Sequence, residues 1–402
     1  MAIPSLAMIP SGYKDGKVYS VLPTNGDGDF DFSRGSNATR VNKDGLIETV
    51  TGDTPRLDYT DSSCPSLLLE PQRTNAATYS EAFDNSFWTK DNATVVGGYS
   101  APDGSNNAFK LIEGTSNSQH NVGSSFITTT NGSEIAASVF VKADTRSEVS
   151  MQEAAYTGVY LSVDLISETI TTNGTSANLT KLVNGWFRID IISTCNIVTA
   201  WKIMPSLNGT STYQGDGTSG IYIWGFQLED VASYATSYIP TSGSAATRLA
   251  DVCDGAGNAD TFNGSEGVLY AEIIALADSG NGQIRINEQG VLNSVIMEFR
   301  NSGTILRTYI FDGNATNQFF SETNINPNDN IKIALKYKQN DCSLYLNGLV
   351  KVTDINATMP SNLNSLSFNQ GDGSSNFKGS VKDLRVYNTT LTDEELAELT
   401  KV

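Results

Sequence analysis

Residues 331–352 read IKIALKYKQNDCSLYLNGLVKV and contain the clearest structural signals of the chain. Apolar residues alternate with lysine or alanine at the start of this stretch, at Ile331, Ile333, Leu335 and Tyr337. A period of two predicts a strand with one buried face and one solvated face. The pair Asn347-Gly348 supplies the positive φ angles of a type I′ turn. Residues 343–352 are therefore predicted to form a β-hairpin.

The same period of two appears elsewhere along the chain. Residues 134–142 are a predicted strand whose apolar face consists of Ile135, Val139 and Val141. Residues 221–228 are another, and the predicted core face is an aromatic row made of Tyr222, Trp224, Phe226 and Leu228. Residues 379–387 form a late strand, and a short helix follows in which Thr392 and Glu395 complete a capping box. These patterns predict an all-β protein with two sandwich-like domains and one short C-terminal helix.

The composition argues against several classes of partner. Of 402 residues, 26 are Lys or Arg and 44 are Asp or Glu, so the net charge is −18. Nucleic acids and anionic membranes are both bound through basic surfaces, and neither partner is predicted. The N-terminal residues lack a basic flank and contain two prolines, so a signal peptide is not predicted and synthesis in the cytoplasm is expected.

Three composition regimes divide the chain. Residues 1–75 are irregular with short apolar runs, and they are predicted to be an N-terminal segment that anchors the protein or intertwines with other copies. Residues 76–250 contain strand-like alternations and are predicted to be the first β-sandwich. Residues 251–402 are predicted to be the second. The chain is long enough for each sandwich to bury its own core.

Three motifs that resemble reactive or ligand-binding sites are better explained as structure. Residues 215–220 read GDGTSG, but they precede a strand and do not join a strand to a helix, so a turn is predicted. Residues 25–31 alternate oxygen ligands as calcium loops do, but the sharp-turn glycine and the bidentate glutamate are missing. An acidic turn is predicted there. His120 is the single histidine and has no nucleophile motif, so a surface or turn position is expected.

A series of short motifs runs in order through the first two regimes. They are SRGSNATR (33–40), DGLIE (44–48), PRLDY (55–59), PSLLLEPQRTN (65–75), NGWFR (184–188), YIWGFQLE (222–229) and ATSYIPT (235–241). With this series, residues from about 33 to 251 resemble bacteriophage virion proteins of the tail-fibre, head-fibre or spike type. The resemblance implies a jelly roll like those of carbohydrate-binding modules, in a virion appendage that is usually a homotrimer.

A second set of motifs lies in the third regime. It comprises GVLYAE (267–272), LYLNG (344–348), FKGSVKDLRVYN (377–388) and LTDEEL (391–396). Residues 262–400 look like a concanavalin A-like lectin/glucanase domain of the laminin-G type. The resemblance implies a two-sheet jelly roll of a kind that often binds glycans, sometimes through calcium, and calcium is the one candidate cofactor. The catalytic E-x-D-x-E strand of the glucanase branch is absent, so enzymatic activity is not predicted.

Together the resemblances imply a fibre or spike, located in the virion, that attaches to host-surface glycans. The N-terminal segment would contact other virion proteins, and the protein would be a homotrimer. Two alternatives remain open. One is a decoration or adaptor protein of the head or tail that binds no sugar. The other is a depolymerase of surface polysaccharide, for which no strand carries an alternating pair of carboxylates.

The candidate sugar-binding residues lie in loops, because rigid strands present loops at the ends of a sandwich. The predicted glycan-binding residues are Asp312, Asn314, Asp372 and Asn376. Trp186 and Trp224 lie in strand-like contexts and are predicted to be core residues. Trp88 and Trp201 are left open between the core and a sugar-stacking role.

Overall fold

The structure is a computed structural model that describes residues 2–155, 157–276, 280–288, 293–313, 319–371 and 373–402. These residues form several antiparallel sheets and a single short α-helix, which confirms the all-β prediction. The chain divides into two compact units. Unit 1 contains Met1–Asn37, Val50–Pro71 and Leu249–Val402, and unit 2 contains Ala38–Thr49 and Gln72–Arg248.

The elements are numbered here in chain order. Up to residue 99 the strands are β1 (Leu6–Met8), β2 (Tyr13–Lys14), β3 (Lys17–Val18), β4 (Phe30–Ser33), β5 (Ala38–Val41), β6 (Ile47–Val50), β7 (Leu57–Asp58), β8 (Ser66–Leu69), β9 (Arg73–Asn75), β10 (Trp88–Asp91) and β11 (Ala93–Tyr99). Up to residue 250 they are β12 (Ala108–Glu113), β13 (Asn117–Gln119), β14 (Asn121–Ser124), β15 (Ile127–Thr128), β16 (Glu134–Ala143), β17 (Glu148–Glu153), β18 (Tyr160–Asp164), β19 (Thr169–Thr172), β20 (Ser176–Lys181), β21 (Trp186–Thr194), β22 (Val198–Thr199), β23 (Trp201–Ser206), β24 (Thr212–Gln214), β25 (Gly220–Asp230) and β26 (Ala246–Arg248). The remaining elements are β27 (Val252–Asp254), β28 (Glu266–Ala275), β29 (Gly282–Asn287), β30 (Asn293–Arg300), β31 (Ile305–Asp312), β32 (Phe319–Asn324), β33 (Asn330–Lys338), β34 (Cys342–Leu346), β35 (Leu349–Asp354), β36 (Ser365–Ser367), β37 (Gly379–Tyr387) and the helix α1 (Asp393–Leu399). A 3₁₀ turn at Val183–Gly185 precedes β21.

Unit 1 is built on two sheets that share one hydrophobic core. The larger sheet has the strand order β35-β34-β33-β28-β37-β8-β7, and the other has the order β32-β31-β30-β29-β36. Asn347 and Gly348 have φ values of 51° and 80°, which confirms the predicted type I′ hairpin between β34 and β35. The capping box at α1 is also confirmed, because Thr392 accepts from the backbone N–H of Glu395 and the Glu395 side chain accepts from that of Thr392.

Three N-terminal strands of unit 1, β1, β7 and β8, belong to the larger sheet, and β2, β3 and β4 form a separate sheet with β27. β1 pairs with β37 with Leu6 opposite Val386, and β8 pairs with the other end of β37 with Leu69 opposite Gly379. The apolar residues of both strands are therefore buried in the core of unit 1. This grouping differs from the predicted division at residues 75 and 250, because short apolar runs find partner strands hundreds of residues away. The predicted anchoring role of residues 1–75 stays a prediction.

A buried ion network links distant parts of unit 1. Asp251 Oδ1 accepts from Arg34 Nη1 at 3.0 Å, and Asp251 Oδ2 accepts from Arg56 Nη2. Arg56 Nη1 also donates to Glu70 Oε2 at 2.5 Å. The side chains of Arg34, Arg56 and Asp251 have no solvent exposure. Since a charge buried without a partner is costly, these residues stabilise the fold only as a set.

Unit 2 contains two larger sheets around a separate core. One has the order β10-β14-β23-β17-β18-β19, and the other has the order β11-β12-β25-β16-β21-β20. Strand β16 covers the predicted residues 134–142, and the predicted apolar residues Ile135, Val139 and Val141 lie in the core. Apolar residues of both sheets belong to this core, as expected for a sandwich.

The predicted aromatic row of β25 is wrong in one respect. A β-bulge lies opposite Val139, and Gly225 has a φ of 61° there. The extra residue reverses which side chains face the core. Ile221 and Ile223 face it before the bulge, and Phe226 and Leu228 face it after the bulge. Tyr222 and Trp224 instead pack in a second cluster on the opposite side of the sheet.

The tryptophans and the histidine are all interior residues. Trp88, Trp186, Trp201 and Trp224 are buried, which settles the two open assignments in favour of the core. The expectation of a surface or turn position for His120 is wrong, because the ring is fully buried. Its Nδ1 lies 2.9 Å from Asn92 O, and its Nε2 lies 3.2 Å from Tyr213 O. The ring therefore satisfies backbone groups inside unit 2.

The glycine-rich stretch 215–220 is a turn, as predicted. Asp216 accepts hydrogen bonds from the backbone N–H groups of Thr218 and Ser219, and β25 begins at Gly220. No helix in the described part of the chain is long and apolar enough to cross a membrane.

Candidate functional site

The five-stranded sheet of unit 1 has one apolar face and one mostly polar face. Alternate residues of β29, β30 and β31 point into the core, and these include Ile284, Ile286, Val295, Met297, Leu306 and Ile310. The residues between them lie on the opposite face, which we call the outer face. It carries Gln283, Arg285, Asn287, Ser294, Ile296, Glu298, Arg307, Tyr309 and Phe311.

Glu298 lies at the centre of the outer face. Register places Gln283 on one side of it and Arg307 on the other. Glu298 Oε1 accepts from Gln283 Nε2 at 3.1 Å, and Glu298 Oε2 accepts from Tyr309 OH at 2.9 Å. Burial raises the pKa of Tyr309, and its hydrogen bond to Glu298 raises it further. Arg300 Nε lies 3.8 Å from the same Oε2, and Glu298 is 7% exposed, so the carboxylate is held in one orientation at the edge of the protein interior.

Three aromatic rings lie beside this carboxylate. Tyr309 stacks on Phe311 with ring centroids 6.0 Å apart, and the centroid of Phe320 on β32 lies 5.5 Å from that of Tyr309. Phe320 is 49% exposed, so part of this aromatic group faces solvent. The Arg307 guanidinium lies 6.0 Å from the Phe320 ring centroid. An exposed ring next to fixed hydrogen-bonding groups is an arrangement that can bind a molecule with both apolar and hydroxyl-bearing surfaces.

Arg285 lies on the other side of the outer face and is buried. Its Nη2 donates to Ser294 Oγ at 3.2 Å, and its Nη1 donates to the backbone O of Gln370 at 3.4 Å. The guanidinium is therefore fixed by its neighbours in the interior of unit 1.

The outer face continues into a cleft at its β36 edge. The cleft has a volume of about 620 Å³, and Asn287, Ser365 and Ser367 line it together with Asp254 and Asn258. Asp254 Oδ2 accepts from Asn369 Nδ2 at 3.1 Å, which orients this carboxylate. Four strand spacings separate β32 from β36, about 19 Å at ~4.8 Å each. The site is therefore elongated, with aromatic rings at one end and amides, hydroxyls and a carboxylate at the other.

The structure describes two of the four predicted loop residues, Asp312 and Asn376, and it places these two apart from each other. Asp312 ends β31 opposite Asn293, and its Oδ2 accepts from Thr358 Oγ1 at 2.6 Å. Asn376 pairs with Gln283, which lies opposite Glu298. Asn293 and Glu298 are five residues apart on β30, so Asp312 and Asn376 are separated along the strand direction by about 17 Å at ~3.4 Å per residue. Asn314 and Asp372 lie outside the described residues.

The outer face left a signal in the sequence that loop-based reasoning missed. Residues 283–287 read QIRIN and residues 307–311 read RTYIF, so polar or aromatic residues alternate with mainly apolar ones. In an ordinary surface strand, the side chains at the polar positions are short or are solvated. Here Arg285 is buried, and only the structure shows that its neighbours enclose it.

Calcium remains a candidate cofactor from the sequence alone. In the described residues, no group of three or more His, Cys, Asp or Glu side chains is placed to hold a metal ion. Residues 25–31, which resemble part of a calcium loop, form a turn in which Asp27 N donates to Asn25 Oδ1 at 3.1 Å. The groups on the outer face can bind a ligand directly, through hydrogen bonds and aromatic stacking.

Comparison with known families places the outer face within a recognised kind of domain. Residues 268–397 match the laminin-G-type model of the concanavalin A-like lectin/glucanases superfamily. This region is lectin-like. The match extends from β28 into α1 and includes β29, β30, β31 and β32, so the resemblance predicted from the sequence of this region is confirmed. Among curated proteins, none matches the chain in sequence.

Solved structures with a similar fold come from several organisms. The CBM40 domain of the Ruminococcus gnavus IT-sialidase, bound to α2,3-sialyllactose, is 16% identical with a TM-score of 0.31, and the match covers 37% of this chain and 93% of that chain. A leech intramolecular trans-sialidase is 19% identical with a TM-score of 0.31, over 37% of this chain and 26% of that chain. A SAP-like pentraxin from Limulus polyphemus is 13% identical with a TM-score of 0.30, over 36% and 72%. Similarities at this level describe the fold alone.

Proposed function

We propose that the chain is a bacteriophage virion protein, a head or tail fibre or spike, that attaches to host-surface glycans through the outer face of unit 1. The observation that carries the proposal is the arrangement around Glu298. A fixed carboxylate lies between an amide and a partly exposed aromatic group, inside a region that is similar to lectins. The virion location is supported by the sequence resemblance of residues 33–251.

The chemistry of sugars fits each part of this site. Sugar hydroxyls donate to carboxylates and accept from amides and guanidinium groups, which Glu298, Gln283 and Arg307 supply. The C–H face of a pyranose packs on aromatic rings, which Tyr309 and Phe320 supply. The cleft beyond Asn287 extends the site, so the proposed ligand is an oligosaccharide and not a single sugar. Attachment needs binding only, and the proposed role includes no covalent chemistry.

Direct binding measurements on the full chain test this site. On an array of bacterial surface glycans, Glu298→Gln is expected to weaken binding of any glycan that the wild type retains by about 10- to 100-fold. This range corresponds to the roughly 1.5–3 kcal/mol of a hydrogen bond to a charged group. The matched control is Glu394→Gln in the exposed first turn of α1, which should bind as the wild type does. Equal binding by both variants would contradict the assignment of the outer face.

The proposed assembly is a homotrimer that contacts other virion proteins through residues 1–75. Strand β35 is an edge of the larger sheet of unit 1, and its Leu349 and Val350 are exposed. An exposed apolar edge strand can pair with another chain, which supports self-association. Light scattering at micromolar concentration is expected to give three times the mass of one chain. A monomer would refute this assembly without bearing on the glycan site.

A further inference from the structure

Unit 2 contains a pocket that the proposed attachment site does not use. It has a volume of about 340 Å³, within the usual range for pockets that bind small molecules. The hairpin of β5 and β6 contributes four polar residues to its wall, Thr39, Asn42, Glu48 and Thr49. The other polar residues of the lining are Glu81, Asp103 and Tyr238. The pocket therefore belongs to unit 2 alone and has three acidic side chains.

Two of these carboxylates have no cationic partner in unit 2. Arg40 Nε lies 3.0 Å from Glu48 Oε2 and neutralises that side chain. Among the described residues, no Lys or Arg forms an ion pair with Glu81 or Asp103. Glu81 accepts only from neutral donors, from Tyr238 OH at 2.9 Å and from Asn107 Nδ2 at 2.8 Å. Burial raises the pKa of Glu81, and the nearby negative charge of Asp103 adds to this effect. A positive charge placed beside Glu81 would therefore stabilise its carboxylate form.

Rigid aromatic packing holds these groups in position. Trp224 Nε1 donates to Asn107 Oδ1 at 2.8 Å, and this is the same amide that donates to Glu81. The ring centroids of Trp224 and Tyr238 are 4.7 Å apart, and Phe140 packs against both. The pocket is preorganised for a small cation, which lowers the entropy lost on binding.

We propose that this pocket binds a sugar with a free, protonated amino group, a hexosamine. The ammonium would lie between Glu81 and Asp103 and supply the positive charge that the pocket lacks. Sugar hydroxyls would meet Asn42 and Thr49, two polar residues of the lining that are not buried. A simple metal ion would need more ligands than these two carboxylates and has no use for the aromatic wall. This site is separate from the outer face of unit 1, and the inference does not depend on the proposed function.

Calorimetric titration of the full chain with three matched sugars tests the inference. Glucosamine is expected to bind saturably, and glucose and N-acetylglucosamine, which lack the ammonium, are expected to bind at least about 10-fold more weakly. Glu81→Gln should weaken glucosamine binding by about 10-fold or more, and Asp103→Asn gives a second test if the first variant does not fold. Asp91→Asn, in an exposed position of unit 2, is the charge-matched control and should bind as the wild type does.

Two results would overturn the inference. One is equal affinity for the three sugars, and the other is no saturable binding of glucosamine by the folded wild type. Glu298→Gln is expected to leave glucosamine binding unchanged, because it changes the outer face of unit 1. A failure of the hexosamine site is therefore distinguishable from a failure of the glycan attachment site.

Discussion

Asp251→Asn is predicted to destabilise unit 1 strongly, although the two side chains have the same number of non-hydrogen atoms. The Asp251 carboxylate is fully buried and accepts from Arg34, from Arg56 and from the backbone N–H of Glu70 at 2.8 Å. Asparagine has the same shape but no charge, and one of its two acceptor oxygens becomes a donor. Arg56 would then keep the Glu70 carboxylate, and Arg34 would lose its ion pair with Asp251.

The size of the effect follows from the burial of the network. Burial alone would lower the pKa of Arg56, but Asp251 and Glu70 raise it. In the variant the guanidinium stays charged and loses one of its two carboxylate partners. Breaking a buried ion pair from one side costs roughly 3–5 kcal/mol. Each kcal/mol lowers the melting temperature of a unit of this size by about 2–4 °C. The melting transition of unit 1 is therefore expected to fall by roughly 6–20 °C.

Differential scanning calorimetry measures this shift directly. The control is Asp31→Asn, which removes an ion pair of similar length, 2.7 Å from Lys17 Nζ, whose side chains are 38% and 64% exposed. Exposed pairs contribute roughly 0–1 kcal/mol, so this variant should melt close to the wild type. If Asp251→Asn melts within about 2 °C of the control, the Asp251 carboxylate does not stabilise the buried arginines to the predicted extent.

Three further substitutions test the packing of unit 2 and the C-terminal helix by thermal denaturation. Trp224→Ala should cost roughly 3–5 kcal/mol, and a wild-type melting curve would show that the ring is not packed. Gly225→Ala should cost roughly 1–3 kcal/mol more than Gly98→Ala, because both glycines have positive φ but only at Gly225 would the new Cβ lie 2.9 Å from Phe140; equal costs would contradict the contact. Thr392→Ala should cost about 0.5–2 kcal/mol by removing the cap of α1, and no change in stability would mean that the capping box is dispensable.

Local sequence patterns predicted the elements whose determinants are themselves local. These elements depend on residues that are close together in the sequence. They are the hairpin at Asn347, the capping box at Thr392 and the strand over residues 134–142. The face of β25 was predicted wrongly before the bulge, at Tyr222 and Trp224, because period two assumes an unbroken strand. A single bulge at Gly225 reverses the period, and a glycine in a strand was the only sign of it in the sequence.

Long-range features could not be predicted from composition. Residues 6–8 show no strand pattern in the sequence, but they form a strand by pairing with β37. Leu6 lies opposite Val386, which is 380 residues later in the chain. The outer face of unit 1 escaped prediction for a related reason. Its members Gln283, Glu298 and Tyr309 lie on three strands, and only the register shows that they share hydrogen bonds. Loop residues such as Asp312 were named because loops often carry function, and their role stays a prediction.

The measurement that tests the central claim most directly is adsorption competition with the purified full chain. Host cells are incubated with wild type, Glu298→Gln or the Glu394→Gln control before phage is added. The account predicts that the wild type and the control bind the cells and slow phage adsorption, and that Glu298→Gln does neither at the same concentration. If the wild type incorporates into virions but neither binds cells nor slows adsorption, the attachment role is contradicted, and the protein is a decoration or adaptor on a lectin-like scaffold.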